Sequence, residues 1–560
     1  MMIDLQPKSS NTSYPNINNQ SVSLIKGDTY MDIREIENII DHVHDKHPFF
    51  NIKKNQAIYD ILSVFQDCCS SSMMASVLNP CALRSIIDHM DSLNVCLKWI
   101  DESISDDNST VSLDISEQEY QNGVSLLNEY ANPYSLICSG YISFSRGRLS
   151  ADIQNNTVTF NNVDSTNKTA YNDILREIFA SSPDKFAGVI NPIELLKATE
   201  TLKKHSRIDN EMLCYDLTSE VIDAFFNIAK NQWNITKTLP NTWKFDKFSL
   251  EEYRVCWIWL CTLCYIHLFS NLNIEAPLIR LKNATIIQSK SNIIDYVVTM
   301  SGLDSNIVEA IIDYITFNPK RKNGDIMYQP IVIINNDILI IAPTLFVGSK
   351  PERNLLSLVN SSKDSFHSKE VNDLEGLMVS ELEDNIVLKP RQRIAKHKHL
   401  EDNLPDLDFA LLDEDSNSVL LCELKWFTPA DSTKEVYARE DDITHGCEQM
   451  ESIMAYAMQD REKFISKVFD LKNFDSIDLF CCVVAKHNIR TQNNYVPVID
   501  LERIKDLLKS MPTNSAFHII RNHQYEIDLP GFTKITHQSV SYGNFIFNIP
   551  AICFESPITI

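Results

Sequence analysis

Two short apolar runs near the C-terminal third of the chain carry most of its legible pattern. Leu407-Asp408-Phe409-Ala410-Leu411-Leu412 and Val419-Leu420-Leu421-Cys422-Glu423-Leu424-Lys425-Trp426 flank the turn formers Glu414-Asp415-Ser416-Asn417-Ser418. Each run has strand length, so the pair predicts a β-hairpin. A turn near Ser416 sets Asp408 opposite position 424, to within a residue. Apolar residues on both faces of the second run predict a central strand covered on both sides. Upstream, residues 368–388 place Val371, Leu374, Met378, Leu382 and Ile386 along one helical face. Downstream, the spacing predicts a helix over 443–464, on which Gln449, Ile453 and Tyr456 share a side. An apolar strand at 477–485, a short strand at 496–499 and a helix at 501–510 complete an α/β core.

Periodicity makes 29–345 mainly helical, for example over 32–43 and 219–230, with a β-rich insert around 134–160. Residues 330–341 predict a hairpin on an Asn335-Asn336-Asp337 turn. The chain thus divides into a polar tail at 1–28, expected to be disordered, this helical region at 29–345, an α/β unit at 346–515 and a β-rich extension at 516–560. The longest uncharged apolar run, 255–269, is shorter than the roughly 20 residues a bilayer requires and predicts a buried helix.

Charges inside the central strand change the picture. Glu423 and Lys425 lie two apart and so share a face, with Asp408 across the hairpin. Buried charges cost several kcal/mol unless they compensate one another or hold a cation. On the upstream helix Glu375 projects within the apolar face, while Glu370 and Glu381 lie nearer its margin. Such i, i+2 charges also mark the wet face of an ordinary edge strand, so the pattern alone leaves both readings open.

Asp408, then Glu423-Leu424-Lys425, then a helix bearing Gln449 resembles the PD-(D/E)XK nuclease superfamily, whose fold is restriction-endonuclease-like. Glu423-Leu424-Lys425-Trp426-Phe427-Thr428-Pro429 followed by Asp442-Ile443-Thr444-His445-Gly446-Cys447-Glu448-Gln449 is similar to a group of bacterial nuclease-domain proteins. The resemblance covers about 354–511 and none of the first half. It implies that Asp408, Glu423 and the Leu424 carbonyl hold Mg²⁺ or Mn²⁺ and that Lys425 orients or polarises the attacking water. Gln449 would support the site, and Glu375 would complete the acidic set. Where the family pattern suggests a basic residue before the helix glycine, this chain has His445, whose charge depends on pH. The expected fold class is therefore α/β (α+β), with a restriction-endonuclease-like core whose mixed sheet is flanked by helices. The expected activity is metal-dependent hydrolysis of nucleic acid, with DNA favoured, in genome defence or DNA processing. The alternative is a binding scaffold that keeps the fold without catalysis.

Composition narrows the rest. The 560 residues carry 44% hydrophobic and 22% charged residues, as a globular protein does. Only 12 glycines occur, with no phosphate-cradling or dinucleotide-binding glycine pattern and no nucleophile elbow. The 14 cysteines are dispersed, mostly in apolar segments, which predicts reduced core thiols and a cytoplasmic setting. Cys261-Thr262-Leu263-Cys264 has no second pair, and His42, His44 and His47 match no metal-ligand spacing. No signal peptide is visible in the first 28 residues. A net charge of −24 opposes unspecific DNA binding. Lys389, Arg391, Arg393, Lys396 and Lys398 form an acid-free basic run before the hairpin, a candidate for phosphate contacts, and Pro319-Lys320-Arg321-Lys322 is a second cluster. Homo-oligomer formation or a protein partner for the first half is left open.

Overall fold

The computed structural model describes residues 32–76, 82–105, 109–163, 192–236, 239–321, 324–335, 337–361, 366–430, 432–472, 476–487, 495–525 and 533–554. The tail at 1–28 and Lys322 lie outside them, as does the side chain of Glu370. The protein is mixed α/β, and its described strands form sheets of five, four, three and two strands.

The five-stranded sheet forms the α/β unit. Its strands are β1 (Gln392–Lys398), β2 (Leu407–Asp413), β3 (Ser418–Lys425), β4 (Asp478–Ala485) and β5 (Val498–Asp500), in the order β5-β4-β3-β2-β1. β3, β4 and β5 run parallel, while β2 is antiparallel to both β3 and β1. The predicted hairpin is thus the middle of the sheet. Asn417 adopts a left-handed conformation (φ 47°), which asparagine tolerates, and closes its turn.

Helices cover both faces. α1 (Phe366–Asp384), α4 (Leu501–Ser510) and α5 (Thr513–Arg521) pack Met378, Leu382, Ile504 and Phe517 against Phe409, Leu420, Cys422 and Leu424. α2 (Thr433–Gln459) and α3 (Arg461–Phe469) pack Ile443, Cys447, Met450 and Phe464 against Ala410, Leu412, Val419 and Leu421. Strand alternation follows: residues 420, 422 and 424 face one layer, and 419, 421, 423 and 425 the other. Asp408, in phase with Ala410 and Leu412, shares the α2 face with Glu423 and Lys425.

Three elements differ from expectation. β1 carries only Ile394 and Ala395 as apolar residues, so its strand character was hidden in a basic run. α2 begins ten residues before 443: its first turns bury Val436, Tyr437 and Glu440, and Arg148 of the N-terminal region pairs with Glu440 and lies over the Tyr437 ring. The segment at 134–160 opens as a helix, Asn132–Ser145, before the hairpin Leu149–Gln154/Thr157–Asn162. Gly140 lets that helix approach the Phe160 ring, where an added Cβ would lie 3.2 Å from Cε2.

The extension after 516 is divided between two bodies. Its first residues belong to α5, with Phe517 seated on Phe480 of β4. The hairpin Thr533–Tyr542/Phe545–Phe554 then returns to the N-terminal half, its second strand pairing in parallel with Thr157–Asn162. The hairpin Ile331–Ile334/Ile338–Ile341 forms as expected, with Ile286–Ser289 on its outer edge. The helix Leu250–Leu272 is long and apolar enough to cross a membrane by length and composition, and 72% of its most apolar window is buried inside the protein.

Candidate functional site

At the end of the central sheet, β3 stops at Lys425 and β2 begins at Leu407, so both present side chains to one rim. Continuing the register that pairs Phe409 with Cys422 sets Asp408 opposite Glu423, one position from that expected. The Asp408 carboxylate accepts the Leu424 N–H at 2.8 Å. Lys425 Nζ donates to Glu423 Oε1 at 2.7 Å and to Gln449 Oε1 at 2.9 Å. Glu375 arrives from α1 in the opposite layer, passing the strand end to meet the Trp426 backbone N–H. The structure thus brings Asp408, Glu423, Lys425, Gln449 and Glu375 together. Glu381 is directed elsewhere, to Lys486 (3.0 Å) and Lys505 (2.8 Å).

Burial dominates the electrostatics. It pushes the Glu423 carboxyl up to about 7; the Asp408 charge adds to the rise and Lys425 opposes it. It raises Asp408 too, against the Leu424 hydrogen bond and the Lys425 charge. Glu375 is raised by burial, with Lys425 opposing. Desolvation lowers the Lys425 ammonium, but Glu423, Glu375 and Asp408 more than offset it, and its net shift is upward. Three carboxylates around one ammonium, once all ionised, would leave negative charge uncompensated in a poorly hydrated rim.

The packing of α2 completes this rim. An added Cβ on Gly446 would lie 2.9 Å from Lys425 Cε and 3.5 Å from Glu423 Cγ, so glycine here is the space through which Lys425 extends. Arg439, Asp442, Gly446 and Gln449 follow i, i+3, i+7, i+10 spacing and form one stripe. Asp442 lies on the open side of this stripe, with its side chain largely exposed, and its charge adds to the rise of Glu375. The sequence assigned no role to Arg439, and Asp442 entered only within the 442–449 segment that carries the resemblance; the stripe spacing is the signal that locates both. His445 is exposed and lies 3.6 Å from Glu448.

The basic run is placed differently from a continuous cationic path. Arg391 pairs with Asp415 (3.0 Å) and Arg393 with Glu414 (2.7 Å), at the turn end of the hairpin, opposite to the carboxylate rim. Lys396 pairs with Glu383. Lys389 is exposed, and Lys398 sits at the rim end of β1; among the described residues neither forms an ion pair. His397, left-handed at φ 46°, stands opposite Asp408 between two registered pairs.

Among the described residues, no three or more of His, Cys, Asp and Glu are gathered as a ready metal cage. The donor set nevertheless fits a hard cation. Glu423 Oε2 is buried and has no hydrogen-bond partner. Mg²⁺ commonly takes only one or two carboxylates and completes its shell with water and substrate oxygens. Asp408 and Glu423 supply that number, with the Leu424 carbonyl beside them. Searches against known protein families, curated proteins and solved structures found no match.

Proposed function

We propose that the α/β unit is a restriction-endonuclease-like, metal-dependent nuclease that hydrolyses phosphodiester bonds, with DNA the favoured substrate and genome defence or DNA processing the setting. The observation that carries this reading is the set of desolvated carboxylates Asp408, Glu423 and Glu375 around the Lys425 ammonium, with one Glu423 oxygen unpartnered. A structural ion pair needs one acid for one base. This rim has an excess of acid, as a site completed by a cation does.

A Mg²⁺ or Mn²⁺ ion held by Asp408, Glu423 and the Leu424 carbonyl would neutralise phosphate charge and acidify a bound water. Lys425, kept protonated by its acidic neighbours, orients the water or the phosphate as a point charge. Gln449 fixes the direction of Nζ, and the hydrogen bond from Leu424 fixes Asp408. Glu375 holds the outer margin of the rim beside Trp426.

The scaffold alternative draws on the pairing of Arg391 and Arg393 with acids and on the net charge of −24. Incubating the full chain with plasmid, single-stranded DNA and RNA, with Mg²⁺ or with chelator, separates the two. Metal-dependent loss of any substrate supports the nuclease; three intact substrates under Mg²⁺ and Mn²⁺ would leave the scaffold.

A further inference from the structure

Arg439 sits on the active-site stripe of α2 with its guanidinium incompletely satisfied. Its Nη2 donates to Thr428 Oγ1 at 3.2 Å. Its Nη1 stands 3.6 Å from Asp442, longer than a hydrogen bond. The guanidinium carbon lies 5.7 Å from the centre of the Phe427 ring. Nε is buried and has no partner at all. A buried donor left without a partner is costly, the more so when charged, so this resting arrangement is held weakly. The side chain keeps 20% of its surface exposed, which leaves the head group a way out.

From these observations we infer that Arg439 binds a phosphate of the nucleic-acid strand next to the one being cleaved. This deepens the nuclease reading and rests on it. A guanidinium offers a planar fork of donors that a phosphate accepts in pairs, satisfying groups that Asp442 and Thr428 leave unmet. Arg439 lies seven residues from Gly446, roughly 10 Å along the helix axis. That distance sets it beside the reacting phosphate rather than on it. Phe427 braces the guanidinium plane, so rotation about the last side-chain bonds re-aims the fork without unfolding the helix. The chain thereby gains a rim cation for the substrate that is not tied to a full-strength ion pair, unlike Arg391 and Arg393.

The test is binding of a fluorescently labelled DNA duplex and single strand over a salt series, with chelator present, in an Asp408→Asn background. Arg439→Gln should weaken binding roughly tenfold and reduce the magnitude of the salt slope by about one, as expected for one lost phosphate contact. Arg439→Lys should restore the slope and part of the affinity, and Arg393→Gln should change neither. As an independent check, replacing single phosphates by neutral methylphosphonates should locate one position whose affinity loss in the Asp408→Asn parent disappears when Arg439→Gln is added. Equal slopes and affinities for Arg439 and Arg439→Gln would overturn the inference while leaving the nuclease reading standing. Absence of any DNA binding in the Asp408→Asn parent would also overturn the inference, while the nuclease reading stands or falls on the cleavage assay with DNA and RNA.

Discussion

Neutralising Glu423 should stabilise the protein, and the gain should depend on pH. The carboxyl is raised from 4.5 to about 7, chiefly because burial penalises its charged form. At 1.36 kcal/mol per pH unit, keeping it ionised in the folded state costs on the order of 3 kcal/mol above neutral pH. The folded state binds more protons than the unfolded state between about pH 4.5 and 7, so stability falls as pH rises through that window and levels off above it. Glu423→Gln removes this loss while keeping an oxygen for Lys425 Nζ. Urea unfolding of both proteins at pH 5 and pH 8 reads the effect. The midpoint of the variant should exceed that of wild type by more at pH 8 than at pH 5, the difference corresponding to about 2 kcal/mol of unfolding free energy. A midpoint difference that stays the same at both pH values, or that favours wild type more at pH 8, would refute a desolvated, acid-crowded Glu423.

Gly446→Ala should leave stability within about 1 kcal/mol, since the helix propensity gained offsets crowding, yet should lower cleavage at least tenfold by displacing Lys425, whose Cε would lie 2.9 Å from the new Cβ. Arg353→Ala removes a buried guanidinium that holds Glu435 at the start of α2 and donates to the Pro429 carbonyl at 3.1 Å. It should cost about 2–3 kcal/mol and speed hydrogen exchange in the first turns of α2, whereas unchanged exchange would mean that Arg353 does not clamp this helix. Mn²⁺ binding should release roughly half a proton at pH 7 and close to none at pH 8.5, because Glu423 must deprotonate to act as a ligand. Calorimetry in two buffers of different ionisation enthalpy measures that number, and zero release at pH 7 would exclude Glu423 as a ligand.

What the sequence disclosed and what it hid have physical reasons. The hairpin was legible because Leu420, Leu421, Cys422 and Leu424 leave no polar face, and the register came within one residue because the turn is short. Gln449 was joined to Lys425 in advance only through the resemblance to the nuclease pattern; helix phase placed it on a side with Ile453 and Tyr456 and named no partner for it. β1 was hidden because an edge strand needs only two apolar residues and its charges dominate the pattern. The start of α2 was hidden because Arg148 and Arg353 hold its acids, the buried Glu440 and the half-buried Glu435, through ion pairs that leave no hydrophobic period. The last hairpin pairs Ile546 with Thr157 across the length of the chain, and no local pattern encodes a partner that distant.

The central claim is that Asp408 belongs to a metal-dependent hydrolytic site. Asp408→Asn keeps an oxygen for the Leu424 amide and removes only the charge, so the fold should persist. The direct measurement is cleavage of nucleic acid by wild type and this variant across a Mg²⁺ titration, with matched unfolding curves. Mg²⁺-dependent turnover is expected in wild type, with a loss of at least a hundredfold in Asp408→Asn. Equal turnover in the two proteins would contradict it.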